Sequence, residues 1–218
     1  MEPEFWLERW RNGQIGFHRE TVHPLLARFW PGLDLTPGSR VFVPLCGKSR
    51  DLQWLAAQGY RVTGVEISPL AVEAFFRESG LEPEIEEGPL PCWRAGAIEI
   101  YCGDFFALPT AVIGDCAAVY DRAALVALPP AMRLAYAARL REALAPGTRI
   151  LLVTLEYPQA RMAGPPFSVE ADEVRSLFAP THVPRCLARE DVLEAHERFR
   201  AQGLDRLEEV VWRLDPLT

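Results

Sequence analysis

The stretch Arg40-Val41-Phe42-Val43-Pro44-Leu45-Cys46-Gly47-Lys48-Ser49 decides the fold. It begins as a short apolar, β-branched run after the turn Thr36-Pro37-Gly38, which is how a buried strand reads. It then enters a helix: Leu52, Leu55 and Ala56 share one face, Ser49 is placed to cap it, and Gly59 ends it. A second strand, Arg61-Val62-Thr63-Gly64-Val65-Glu66, completes a βαβ unit. Outward from that unit the alternation continues. Pro69 opens a helix with Leu70, Ala71, Ala74 and Phe75 inward, stopped by Gly80. Residues 81–97, with prolines and glycines among acids, read mostly as loop. Residues 98–101 and 116–120 are further strands, ending at Gly103-Asp104 and Asp121-Arg122. Pro129-Pro130 starts an amphipathic helix carrying Met132, Tyr136, Leu140 and Leu144, and residues 148–155 form a fifth strand. A helix is expected over residues 190–202 and a strand around Val210-Val211-Trp212. Upstream, residues 3–11 are helical with Trp6 and Trp10 on one face, and a second helical stretch covers residues 21–30.

Strands alternating with helices at this spacing predict an α/β fold, a doubly wound, mostly parallel, Rossmann-like sheet with helices on both faces. The 218 residues suit a single domain, 1–218, with residues 1–35 as an N-terminal helical lid and residues 36–218 as the α/β core. A net charge of −7 with scattered basic residues excludes a broad nucleic-acid-binding face, which needs clustered Lys and Arg. The five cysteines form no CxxC pair, and no signal peptide is evident, so reduced thiols in a cytoplasmic protein are expected. The four histidines lack HExxH spacing, and no metal site is expected. No apolar run approaches the ~20 residues that span a bilayer. Without a long exposed apolar helix, the expected state is a monomer.

In doubly wound sheets ligands bind at the carboxyl ends of the strands. The candidates are Leu45, Cys46 and Gly47, then Glu66, Asp104 and Phe105, and Asp121 and Arg122. Three ligands compete for the first turn. A P-loop would use Gly47-Lys48-Ser49, but the glycine it needs five residues earlier is Phe42, inside the strand. That disfavours a phosphotransferase. A dinucleotide fingerprint needs three glycines where this turn has one. S-adenosylmethionine carries no phosphate and asks less of glycine, but wants an acid at the end of the second strand for its ribose hydroxyls. Glu66 stands there, 21 residues beyond Leu45. Asp104 or Phe105, after the third strand, is placed to border the adenine. Cys46 reads as a small packing residue rather than a nucleophile.

Phe5-Trp6-Leu7-Glu8-Arg9-Trp10, Gly16-Phe17-His18, Val43-Pro44-Leu45-Cys46-Gly47-Lys48-Ser49, Gly64-Val65-Glu66, Tyr101-Cys102-Gly103-Asp104-Phe105-Phe106, Tyr120-Asp121-Arg122 and Gly164-Pro165-Pro166-Phe167 occur in that order. Together they resemble the thiopurine S-methyltransferases, the bacterial type most closely. The resemblance implies a class I methyltransferase fold that moves the methyl of S-adenosylmethionine to the sulfur of thiopurines or related aromatic and heterocyclic thiols. It implies cofactor contacts at Trp10, Leu45, Glu66 and Arg122, with Phe105 at the adenine, and a substrate bordered by Phe17, Arg122 and Arg185. Arg185 is aligned only through Arg185-Cys186-Leu187. Some bacterial relatives are linked to selenium and tellurium compounds, so another small acceptor, including an oxygen or nitrogen nucleophile, is the alternative among enzymes. A non-catalytic cofactor-binding protein is the alternative outside them.

Methyl transfer from a sulfonium is an in-line displacement, which asks for positioning within ~3–3.5 Å and exclusion of water. A thiopurine ionises near neutral pH and needs no strong base. An anionic sulfur heterocycle instead gains from a guanidinium, which stacks on flat rings and stays charged. Arg122 and Arg185 fit that role, and Asp121 could orient Arg122 or accept a proton through water. On this reading Trp10 and Phe17 close over the sheet end, where aromatic faces suit a cationic cofactor at ~0.5–2 kcal/mol.

Overall fold

The computed structural model describes residues 3–217. By density of contacts the chain forms two compact units, the first of residues up to 120 with 143–145, the second of residues 121–142 and 146 onward. The first unit holds α1 (Pro3–Arg11), α2 (Pro24–Phe29), β1 (Arg40–Val43), α3 (Arg50–Ala57), β2 (Arg61–Glu66), α4 (Pro69–Ser79), β3 (Glu84–Glu86), β4 (Cys92–Ala95), β5 (Ile98–Cys102) and α5 (Thr110–Ile113). Strand β6 (Ala118–Arg122) begins in it and ends with the first two residues of the second. The second unit continues with α6 (Pro130–Ala143), whose last residue is counted with the first, then β7 (Arg149–Glu156), α7 (Ala171–Phe178), β8 (His182–Asp191), α8 (Glu197–Ala201) and β9 (Glu208–Pro216).

In the first unit the strands run in the order β3-β4-β5-β2-β1-β6. The pairs β5–β2, β2–β1 and β1–β6 are parallel, while β3–β4 and β4–β5 are antiparallel. Strand β1 sits between β2 and β6, so the strand order reverses there, which makes the loop after β1 the place for a ligand. Val41, Phe42 and Val43 are all buried, the continuous apolar run expected of a central parallel strand. Buried polar groups lock the unit. Glu99 of β5 accepts hydrogen bonds from Arg40 of β1 (2.6 Å), Thr63 of β2 (2.8 Å) and Arg94 of β4 (3.1 Å), so one carboxylate ties four strands. Asp51 of α3 accepts from the His23 N–H (2.8 Å) and the Tyr120 hydroxyl (3.1 Å). Each buried acceptor is thus satisfied, as burial requires. The second unit pairs β7–β9 and β9–β8, all antiparallel, with the indole N–H of Trp212 donating to Thr154 Oγ1 at 3.0 Å.

Residues 81–97 are mostly loop, and they carry two short strands that the reading did not single out: β4 and β5 form a hairpin closing over Gly96-Ala97, with Gly96 at φ +57, and β3 pairs with β4. Two local expectations are corrected. Residues 190–202 are not one helix: Glu190 and Asp191 end β8, Asp191 Oδ1 then accepts the Leu193 N–H, and only Glu197–Ala201 is α-helical. The second helical stretch is shorter than residues 21–30, because His23 Nδ1 caps it at Pro24 and the backbone tightens into a 3₁₀ turn at Trp30.

Candidate active site

The loop after β1 is built by departures from ordinary backbone. Leu45 sits at φ +46 and Gly47 at φ +53, both in the left-handed region, which a leucine adopts only when its surroundings insist. They insist through β2. The Cys46 N–H donates to the Val65 carbonyl (3.0 Å), and the Gly47 N–H donates to Glu66 Oε2 (2.9 Å). Ser49 then caps α3, its hydroxyl accepting the Asp51 N–H at 3.2 Å. Gly64 makes this seat possible: a Cβ there would lie 2.8 Å from Cys46 Sγ. The Cys46 thiol is buried, and burial, with the Glu66 charge nearby, pushes it well above its ordinary value. A thiol so held is no nucleophile, in keeping with its reading as a packing residue.

Glu66, at the end of β2, is 5% exposed. Its Oε1 accepts the Ser68 N–H and its Oε2 the Gly47 N–H, both at 2.9 Å. Burial raises the carboxyl to about 7, against the pull of the backbone donors of Ser68, Gly47 and Ile67. A carboxylate has about four acceptor positions, so capacity remains beyond these backbone donors for a ribose hydroxyl. The buried Ser68 hydroxyl, two residues on, has no hydrogen-bond partner among the described residues. Gly103 donates its N–H to the Glu66 carbonyl (2.8 Å), which brings the end of β5 to the same place.

Helix α1 supplies Trp10, whose indole Cζ2 would stand 3.3 Å from a Cβ at Gly47. The ring therefore lies over the loop at its one glycine. Phe17 meets Trp10 edge-on at 5.7 Å and Trp6 at 5.8 Å, so the three aromatics form one half-buried cluster. The structure brings Trp10, Gly47, Glu66 and Phe17 together, and Trp6, an aromatic without an assigned role, joins them. Lys48 turns away: its ammonium pairs with Glu78 of α4 at 2.8 Å, so it cannot serve as a phosphate-binding lysine there. Asp104 is exposed and caps the following turn through the Phe106 N–H (3.0 Å). Phe105 is 2% exposed and stacks on Phe42 at 6.3 Å, so its ring belongs to the core beneath the β5 end.

The remaining expected residues belong to the second unit. Asp121 has no exposed surface. Its Oδ2 accepts the Tyr136 hydroxyl at 2.6 Å and its Oδ1 the Leu125 N–H at 3.2 Å. Burial raises it to about 6, opposed by those donors and the Ala124 N–H. Arg122, half-buried, ends β6, and Ala123 follows at φ +71. Arg185 lies on β8 with an exposed side chain, its Nε 3.9 Å from Asp215 Oδ2, a surface ion pair of little energetic weight. Tyr136 was legible only as an apolar-face position of α6; nothing in a sequence marks which way its hydroxyl points.

The sequence model of a family described as Thiopurine S-methyltransferase (TPMT) matches residues 1–216. The chain is 54% identical over 216 residues to the thiopurine S-methyltransferase of Xanthomonas campestris pv. campestris, covering 98% of this chain and 99% of that protein. It is 52% identical over 216 residues to the protein of the same name in Azotobacter vinelandii, covering 99% of each. Among solved structures it is similar to the Burkholderia thailandensis 1,6-didemethyltoxoflavin-N1-methyltransferase with bound 1,6-didemethyltoxoflavin and S-adenosylhomocysteine. The TM-score is 0.67 at 16% identity, over 99% of this chain and 87% of that one. A TehB-like SAM-dependent methyltransferase from Corynebacterium glutamicum gives a TM-score of 0.55 at 14% identity over 96% of each chain. At such identities these structures share the fold.

Proposed function

The chain belongs to the thiopurine S-methyltransferase family and is an S-adenosylmethionine-dependent methyltransferase of class I fold, and on that premise we propose that it methylates thiopurines and related aromatic or heterocyclic thiols in line at sulfur. The thiol acceptor is supported by the full-length match to relatives named for that activity. The cofactor subsite is supported above all by Glu66, whose buried carboxylate accepts backbone N–H groups on both oxygens and keeps acceptor capacity beyond them.

When bound, S-adenosylmethionine supplies an electrophilic methyl on a sulfonium. The residues of the chain do the rest. Glu66 accepts the ribose hydroxyls, and Leu45 and Gly47 border the cofactor with backbone already fixed in the left-handed region. Asp104 and the turn led by Phe105 border the adenine. Trp10 and Phe17, at the head of the lid segment 1–35, exclude water and offer aromatic faces to positive charge. Arg122 serves cofactor and acceptor, favouring the thiolate form of an acidic heterocyclic thiol, and Arg185 borders the acceptor. Asp121 is enclosed by its own hydrogen bonds, which suits it to hold Arg122 in place rather than to exchange protons with water. No helix among the described residues is long and apolar enough to cross a membrane, and no disulfide joins the five cysteines. Both suit a cytoplasmic enzyme acting on a small thiol, and we take it to act as a single-domain monomer.

Thermal unfolding with S-adenosylhomocysteine, Mg-ATP or NAD tests the cofactor assignment. A ligand at 100 times its Kd adds about 2.7 kcal/mol, which in a chain of this size raises Tm by several degrees. S-adenosylhomocysteine alone should do so; stabilisation by Mg-ATP alone would overturn the reading.

A further inference from the structure

We propose that Tyr136, acting through Asp121, is the positioning residue that fixes the turn carrying Arg122. The proposal rests on the reading that Arg122 takes part in the transfer. Asp121 precedes Arg122 at the end of β6, and its fully buried carboxylate spans the turn Arg122-Ala123-Ala124-Leu125: one oxygen accepts the Leu125 N–H, the other the Tyr136 hydroxyl. Ala123, inside that span, is held at φ +71, a conformation an alanine leaves when nothing restrains it.

The far side of the turn is anchored as well. The Val126 carbonyl accepts the Phe167 N–H at 2.7 Å. The Arg133 guanidinium donates to the carbonyls of Leu128 (2.9 Å) and Ser168 (3.0 Å) and pairs with Glu173 (2.6 Å). Arg122 therefore lies between a clamped buried aspartate and a clamped buried turn, with its own side chain half-buried. In that arrangement Tyr136 contributes its hydroxyl. Its ring fills a core position that phenylalanine would fill equally, whereas the hydroxyl is the side-chain donor to Asp121. A buried carboxylate that loses such a donor gives up a charge-assisted hydrogen bond and keeps its desolvation cost, so the turn would relax toward ordinary backbone. Burial beside Asp121 pushes the Tyr136 hydroxyl well above its ordinary value, so it remains a donor at neutral pH.

The test is a double-mutant cycle of Tyr136→Phe and Arg122→Ala in the full chain. It uses a thiol that the parent methylates and a temperature well below every variant's Tm. Tyr136→Phe should lower kcat/KM roughly tenfold, mainly in kcat. In the Arg122→Ala background the same substitution should change kcat/KM less than about twofold, because the side chain it places is gone. Equal losses in both backgrounds would assign Tyr136 to the fold alone and overturn the proposal. A loss for Arg122→Ala with none for Tyr136→Phe would overturn the proposal and leave the role of Arg122 standing. An inert Arg122→Ala would instead remove the reading on which the proposal rests. Should Tyr136→Phe fail to fold, the cycle is repeated with Tyr136→Phe introduced into an Ala123→Gly background, which relieves the left-handed strain, and Ala123→Gly alone is the reference. Failure to fold there too would count against positioning.

Discussion

At Glu66 burial and hydrogen bonding compete, and the outcome is a carboxyl raised from its ordinary 4.5 to about 7. The folded chain then holds a proton that the unfolded chain has released between those values. Its contribution to stability is fully present below about 4.5 and is lost as pH rises to about 7, on the order of 3 kcal/mol at about 1.4 kcal/mol per tenfold change in proton affinity. Asp121, raised from 3.8 to about 6, works in the same direction over a lower window. Ribose hydroxyls need the ionised carboxylate, so cofactor affinity should rise with pH and level off above about 7. Glu66→Gln should weaken S-adenosylhomocysteine binding roughly 10- to 100-fold at pH 8 and flatten both pH dependences. Calorimetric titration and thermal unfolding from pH 5 to 8.5 measure this. Unchanged affinity and slope in the variant would separate Glu66 from the cofactor.

Among the elements, the loop after β1 concentrates the strain. Gly47→Ala combines a left-handed φ of +53 with a Cβ 3.3 Å from the Trp10 indole. A backbone cost of about 1 kcal/mol should lower Tm by about 2–4 °C, and displacement of the indole should raise KM for the cofactor. Adding Trp10→Ala would remove the collision but not the backbone cost, so the Tm loss assigned to position 47 should persist in that background; its disappearance would contradict the account. The elements also show what a sequence can carry. Strands β1, β6 and β7 announce themselves because each is mostly buried and apolar, and β2 through its β-branched run Val62-Thr63 and Val65. Strand β3 exposes all three residues, and β8 is mostly exposed and charged, with Arg185, Arg189, Glu190 and Asp191 along it. Exposed strands of this kind follow from pairing with β4 and β9, and pairing leaves no apolar pattern to read.

Over the whole molecule, the α/β architecture and the reversal of strand order at β1 were legible from alternation and spacing, and Glu66 from its distance past the first turn. The clasp between Glu66 and Gly47, the inward turn of the Phe105 ring and the Tyr136–Asp121 bond were not, because they depend on directions that side chains acquire only when packed. The resemblance carried by Pro44-Leu45-Cys46-Gly47-Lys48-Ser49 and its companions extends over residues 1–216 in the family match. What it leaves to measurement is the acceptor. Transfer of labelled methyl from S-adenosylmethionine to 6-mercaptopurine and a thiophenol, with oxygen, nitrogen and selenium acceptors alongside, tests this most directly. The account predicts labelled S-methyl products from the thiols, lost on Arg122→Ala. Tight S-adenosylhomocysteine binding without transfer to any thiol would contradict it.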